Sequence, residues 1–289
     1  MDKAQHTTGL ILTFSAVIIL SPDALLVRLI SCDVWTLLFW RCLLTALSTT
    51  VILALRYRSR LWHSFRSIGT TGLYSASTIV IGSIFFVNSL RQTAAANTLI
   101  ILAATPVISS LLSYLFLREK VARHTWVAIA CCFGGILLIF SGSLSTGLLL
   151  GDLLALGATC MWASNLVILR RGRDVNMIPA NVLGNLAVVP IALLFGAQPL
   201  ELSGVNAAYL LLHGGLLLPV SFAMITLAPR YLPAAEVSLI LLVETVLGPL
   251  WVWLVLHEIP APTTMIAGLL ILITLSGHTL FGLRRTQAR

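Results

Sequence analysis

Ten apolar stretches, each about as long as a bilayer is thick, dominate this sequence. They run over 9–30, 34–55, 70–90, 94–117, 124–141, 151–170, 177–197, 206–228, 233–256 and 263–283. About 20 apolar residues carry a helix across the hydrocarbon core. A chain inside lipid must satisfy its own backbone hydrogen bonds, so helices are the natural solution. The pattern predicts an all-α polytopic membrane protein with ten transmembrane helices. Charge agrees: only 10% of the 289 residues are charged and 58% are hydrophobic, where soluble domains carry about 25% charge. The mean hydropathy of +0.99 leaves no room for a sizeable soluble domain. The longest linker is RYRSRLWHSFRSIG, 56–69. The opening run, 1–20, is expected to be a retained first helix, because it outlasts a signal-peptide core and no small-residue cleavage site follows.

The net charge of +8 does not point to nucleic acid, because the basic residues lie in short clusters between apolar runs. With the N-terminus in the cytoplasm and the sides alternating, 15 of the 18 Lys and Arg residues fall inside. The exceptions are Arg28 and Arg91 outside and Arg41 within helix 2. That asymmetry follows the positive-inside rule. It predicts a multi-pass protein of the inner (plasma) membrane with both termini cytoplasmic. The five cysteines show no metal spacing, and four lie within apolar runs. They are expected to be reduced fillers.

The chain also repeats itself. LRQTAAANTLIILAATPVISSLLSYLFLRE (90–119) aligns without a gap to PRYLPAAEVSLILLVETVLGPLWVWLVLHE (229–258) at an offset of 139. Arg91 meets Arg230, and Glu119 meets Glu258. GLILTFSAVIILSPDALLVR (9–28) aligns to GDLLALGATCMWASNLVILR (151–170) at an offset of 142, with Arg28 on Arg170. The pairing predicts two halves, 1–145 and 146–289, of five helices each. Five is odd, so the second half enters the membrane upside down. Inverted repeats of this kind are common in secondary transporters.

Four segments carry a family resemblance: FWRCLLTAL (39–47), MWASNLVILR (161–170), ATPVISSLLSYLFLREKVARHTWVAIACCFGGILLIFSG (104–142) and SLILLVETVLGPLWVWLVLHEIPAPTTMIAGLLILITLSG (238–277). The chain resembles the EamA-type branch of the drug/metabolite transporter superfamily over nearly its whole length. The resemblance implies two EamA-like five-helix repeats, a central cavity, and transport of small metabolites, often export of amino acids or related compounds. One departure is SPDALLVR (21–28) in helix 1, where helix 6 has the more typical W-x-S-N.

Ionisable groups at membrane depth are expensive and mark candidate sites. Five stand out: Asp23, Arg41, His213, Glu236 and Glu244. Asp23 and Arg41 lie at similar depth, about 10 Å from the outer ends of neighbouring antiparallel helices. They are expected to pair, as a static bridge or as a gate and polar anchor. Glu244 lies near the midpoint of helix 9, where a carboxyl able to gain and lose a proton could couple transport. The alternative is a neutral acid bonded to a neighbouring helix. Glu236 sits eight residues earlier, nearer the cytoplasmic mouth, where a solvated helix-start acid is the plain reading. His213 is either a proton relay or a lone packing residue. Trp40, Tyr74, Trp162 and Asn165 are candidate cavity-lining groups. Trp62 and Trp126 read as interface anchors. Pro22, Pro106, Pro190, Pro219 and Pro249 fall inside helices and should kink them. Gly248–Pro249 is expected to loosen helix 9 just beyond Glu244. Gly134, Gly135 and Gly268 suggest close packing of helices 5 and 10.

No Walker loop, H-E-x-x-H motif or Cys/His cluster is present. No catalytic residue, metal or cofactor is expected, and the chain does not read as an enzyme. The expected function is a secondary transporter that exports a small amphipathic metabolite by alternating access, with proton coupling open. The alternative is a gradient-independent uniporter or exchanger of the same fold. An intramembrane transferase is disfavoured by the few His, Asp and Ser residues in the loops. The expected partners are a small-molecule substrate, the lipid bilayer and protons, with a monomer or dimer as the assembly.

Overall fold

The computed structural model describes residues 3–58, 61–117, 123–172, 175–202, 204–228, 231 and 240–287. Every regular element among them is helical. The helices are α1 (Lys3–Leu20), α2 (Asp23–Leu29), α3 (Val34–Tyr57), α4 (Leu61–Arg66), α5 (Gly69–Gln92), α6 (Ala95–Leu102) and α7 (Thr105–Leu117). They continue as α8 (Arg123–Thr146), α9 (Leu149–Arg171), α10 (Ile178–Leu194), α11 (Gly204–Leu210), a π-helical segment (Leu211–Leu217), α12 (Leu218–Leu227), α13 (Glu244–Leu256) and α14 (Pro262–Gln287). Seven stretches are long and apolar enough to cross a membrane, and Ile178–Leu194, Glu244–Leu256 and Pro262–Gly277 are shorter apolar helices. Among the described residues the long spans number seven, where the sequence predicts ten helices. The expected ninth run, 233–256, lies partly outside the described residues.

Several apolar runs that look continuous in sequence are broken in the structure. The breaks have a common cause at two sites. A proline lacks the N–H that would bond the carbonyl four residues back. Pro22 orphans the carbonyl of Ile18, and the Ser21 hydroxyl donates to it at 2.9 Å. Pro106 orphans that of Leu102, and the Thr105 hydroxyl donates to it at 2.6 Å. The hydroxyl residue before each proline thus satisfies the carbonyl that the proline leaves without a donor. α1 and α2 meet at the first break, α6 and α7 at the second.

Helix 9 breaks without a proline at the break. Residues 242–243 form a turn, and α13 starts at Glu244. Its hydrogen bonds repeat those of the helix 4 break at a spacing of 139. Ala104 N donates to Ile101 O at 3.1 Å, Val107 N to Ala104 O at 3.0 Å and Ile108 N to Ala104 O at 3.0 Å. Val243 N donates to Ile240 O at 3.0 Å, Val246 N to Val243 O at 3.2 Å and Leu247 N to Val243 O at 2.9 Å. The interruption therefore precedes Glu244. The loosening expected at Gly248–Pro249 does not occur, and α13 runs through both residues. Gly248 instead lets α13 close onto Leu99 of α6.

The remaining packing sets the site. α5 lies along α9, α10 packs on α3 and α5, α1 on α12, and the π-helical segment on α3. α8 packs on α14, where Gly135 faces Ile271. Gly268 receives Ile100 of α6, whereas Gly134 meets no neighbouring chain. Trp62 and Trp126 are exposed on the outside, as lipid-interface residues would be. Arg56, Arg66 and Arg171 mark one end of the bundle, the basic end, and Arg28 and Arg91 mark the opposite end. A dry core that includes Ile30, Leu37, Leu38, Leu90 and Val188 fills the opposite end.

Candidate functional site

A cavity of about 280 Å³ opens between these helices. Its walls come from α1, α2, α3, α5, α6, α7, α9, α10, α12 and residues 241–245. The lining is confined to one half of the bundle. α9 contributes only residues from Trp162 onward, α10 and the residue before it only Met177–Asn185, and α12 residues Leu218–Ile225. These are the parts nearest the basic end. α8 and α14 stay behind α6 and do not line it.

Three of the ionisable candidates come together at the cavity's inner limit. Arg41 Nη2 donates to Asp23 Oδ1 at 3.2 Å and to Oδ2 at 3.1 Å. His213 Nε2 lies 2.5 Å from Asp23 Oδ1. Asp23 and Arg41 are 5% and 4% exposed and His213 is fully buried. The expected Asp23–Arg41 pair is present, and His213 is not alone. Local structure explains the convergence. Asp23 is the first residue of α2, aimed inward by the Ser21–Pro22 break. His213 lies in the π-helical turn, where Leu218 N bonds His213 O five residues back. Such turns displace side chains from ordinary helical register. Gly214 permits the approach, because a Cβ there would sit 2.7 Å from Arg41 O. The Arg41 guanidinium also lies 5.5 Å from the Phe86 ring centroid, and Phe86 packs on Trp162 at 5.2 Å.

Glu244 lines the same cavity at the start of α13. No described residue hydrogen-bonds to its carboxylate, whereas the Asp23 carboxylate has two partners. Glu244 stands in the first turn of its helix, where negative charge is favoured. Trp162 and Asn165 line the cavity as expected, and Ser75 Oγ donates to Asn165 Oδ1 at 2.6 Å. Two expectations are corrected. Tyr74 is 67% exposed on the outer surface, because the adjacent Ser75 takes the inward face of α5. Trp40 turns to the opposite end, where its Nε1 donates to Pro199 O at 3.2 Å. Glu236 lies outside the described residues.

The sequence reading passed over Ser83, Asn181, Asn185 and Thr245, which also line the cavity. Uncharged polar residues cost little inside an apolar run, so they leave no sharp signal. It also passed over Asp152, which is fully buried. Asp152 Oδ1 accepts from the Thr93 hydroxyl at 2.6 Å and from Asn97 Nδ2 at 3.1 Å. An acid in the first turn of a helix is ordinary, so nothing in the sequence separated it from a solvated one. Among the described residues no group of His, Cys, Asp and Glu could hold a metal ion.

A family model described as the EamA-like transporter family matches residues 7–141 and again 149–278. The chain belongs to the EamA-like transporter family. Its apolar helices and this membership make it a multi-pass membrane protein. An uncharacterized transporter of Methanothermobacter thermautotrophicus is 26% identical over 211 residues, 68% of this chain. The match spans 60% of that relative's length. A solved crystal structure superposes with a TM-score of 0.70 at 16% identity, over 96% of this chain and 98% of the other. That likeness concerns the fold alone.

Proposed function

We propose that the protein is a secondary transporter that exports a small amphipathic metabolite, such as an amino acid or related compound, by alternating access. The observation that carries this reading is the cavity at one end of the bundle, placed at a helix break and lined by Glu244, whose carboxylate has no hydrogen-bonding partner among the described residues. Ten spans in two inverted repeats, with the division near residues 145–146, complete the reading. Four observations favour it. The family model matches twice. The helix 4 and helix 9 breaks share their hydrogen bonds at one offset. The pairing of α5 with α9 mirrors that of α12 with α1. The pairs α3–α10, α6–α13 and α8–α14 each map onto themselves when the halves exchange.

The basic end is read as cytoplasmic in a plasma membrane, with both termini there. The cavity then faces the cytoplasm, which suits substrate capture for export. Asp23, Arg41 and His213 form its polar floor, and Trp162 and Asn165 flank the pathway. Glu244 exchanges a proton as the cavity changes sides. The other reading, a uniporter or exchanger, keeps the fold and makes Glu244 structural.

The test is a stability screen of purified protein with amino acids, nucleosides, polyamines and drugs, followed by flux into proteoliposomes. Transport of a stabilising compound is the expected result. A protein that binds compounds and moves none across the bilayer would overturn the transporter reading. An imposed pH gradient that drives no uphill flux would favour the uniporter.

A further inference from the structure

The residues that line the cavity are unbalanced in charge. Two carboxylates line it, those of Asp23 and Glu244, and one cation, Arg41. Arg41 is already committed, because its Nη2 reaches both Asp23 oxygens, at 3.2 and 3.1 Å. Glu244 has no ion-pair or hydrogen-bond partner among the described residues. Asn165 and Asn181 also line the cavity, but a neutral amide does not offset a carboxylate's charge.

The lining is unbalanced in hydrogen bonding as well. Three of its hydroxyls, those of Ser75, Thr105 and Thr245, have spent their hydrogens inside the protein. Ser75 Oγ donates to Asn165 Oδ1 at 2.6 Å, Thr105 Oγ1 to Leu102 O at 2.6 Å and Thr245 Oγ1 to Leu242 O at 2.7 Å. A hydroxyl that has given up its hydrogen offers a ligand only lone pairs. Thr245 follows Glu244 directly in α13, so the side chains at this helix start present acceptors. Apolar side chains, among them Leu20, Leu99, Leu102 and Phe222, form much of the remaining wall.

We infer that the cavity takes a small primary amine with an apolar body, its ammonium group held by Glu244. This rests on the transporter reading and names its substrate class. An ammonium group carries three donors and no acceptor, which complements a carboxylate and spent hydroxyls. Its charge balances the second carboxylate. The apolar walls receive the body, and the volume of about 280 Å³ keeps that body small, because sites for drug-sized ligands run roughly 300–1,000 Å³. A free amino acid is matched less well. It brings a third carboxylate into a cavity whose one cation is held by Asp23, and a charge taken out of water without a partner is costly. The substrate class is therefore the apolar amino acid without its carboxylate.

The experiment uses the full chain in detergent and three probes on one branched skeleton: isoamylamine, leucine and isocaproate. At neutral pH they are a cation, a zwitterion and an anion, since a primary amine, like a lysine side chain, stays protonated there. Melting curves against probe concentration give apparent affinities. Isoamylamine is expected to bind at least about tenfold more tightly than leucine or isocaproate, the effect of one well-matched charge. Glu244→Gln is expected to weaken isoamylamine at least about tenfold, as truncation of a desolvated charge pair does. Exchange of the amine by that variant then needs correspondingly more substrate. Leucine or isocaproate binding as tightly as the amine overturns the inference, as does an amine affinity that Glu244→Gln leaves unchanged, or no shift with any probe. The comparison of probes on the unaltered protein decides if the variant does not fold. Flux into proteoliposomes separates the two readings. Leucine moved without amine binding keeps the transporter and removes the amine site, whereas an amine bound at Glu244 and never moved keeps the site and removes the transporter.

Discussion

The helix 4 and helix 9 breaks have nearly the same backbone and different chemistry. Both turn where the chain enters the cavity, both share three hydrogen bonds, and both start a new helix at the aligned position. In helix 4 that position is Thr105, and the following Pro106 accounts for the break. In helix 9 it is Glu244, and no proline stands there. A hydroxyl also bonds a carbonyl at this break: Thr245 Oγ1 donates to Leu242 O at 2.7 Å, which Thr245 N also reaches at 3.2 Å. The comparison teaches that the break belongs to the architecture, whereas the acid belongs to one half. Discontinuous helices at a repeat interface are where transporters place substrate and coupling ions. Here only one of the two breaks carries an ionisable group.

The largest effect is expected from removing that difference. Glu244→Gln makes both breaks non-ionisable, and flux driven by a pH gradient should fall to background while substrate exchange without a gradient persists. Undiminished gradient-driven flux in that variant would make the acid structural and the two breaks equivalent in function.

Next comes the charge cluster beside the helix 9 break. α13 packs against α2, and Trp251 Nε1 reaches Ser21 Oγ at 2.9 Å. Asp23→Asn leaves the Arg41 charge buried without its counter-ion. The expected loss is about 3–5 kcal/mol, read as a lowered melting temperature in detergent. An unchanged melting temperature would mean that water reaches Arg41 and that the cluster is not dry.

A smaller effect separates the two breaks one turn further on. Gly248 aligns with Ser109 at offset 139. Gly248→Ala would press on Leu99 and should cost about 1–3 kcal/mol. Ser109→Ala loses only its bond to Pro106 O and should cost under about 1 kcal/mol. Equal losses in melting temperature would show that α6 and α13 do not depend on close approach at Gly248. The smallest pair is Thr105→Val and Thr245→Val. Each removes one hydroxyl bond to a carbonyl at a break, worth about 0.5–1.5 kcal/mol. Similar shifts in the two melting curves would confirm that both breaks are repaired in the same way.

Much of this was legible in the chain. The apolar runs require membrane helices, because lipid cannot hydrogen-bond a bare backbone. The clustered arginines mark a basic end, and the internal alignment pairs residues of the two halves. The Asp23–Arg41 pair followed from equal depth on adjacent helices. Of the five prolines expected to kink helices, Pro22 and Pro106 stand at breaks, whereas α10 and α13 run through Pro190 and Pro249. What the sequence could not give depends on contacts between distant segments. His213 reaches Asp23 only because a π-helical turn and Gly214 let the chain around it close onto Arg41. Tyr74 and Ser75 are neighbours in sequence, and only packing against α9 decides which of them faces the cavity. Asp152 is an unremarkable helix-start acid until α6 brings Asn97 to it. The break before Glu244 has no local signal, because no proline imposes it. A period of apolar residues specifies that a helix forms and spans, but the rotation and proximity of helices are set by the surfaces they bury together. The site of this protein lies where those surfaces leave a gap.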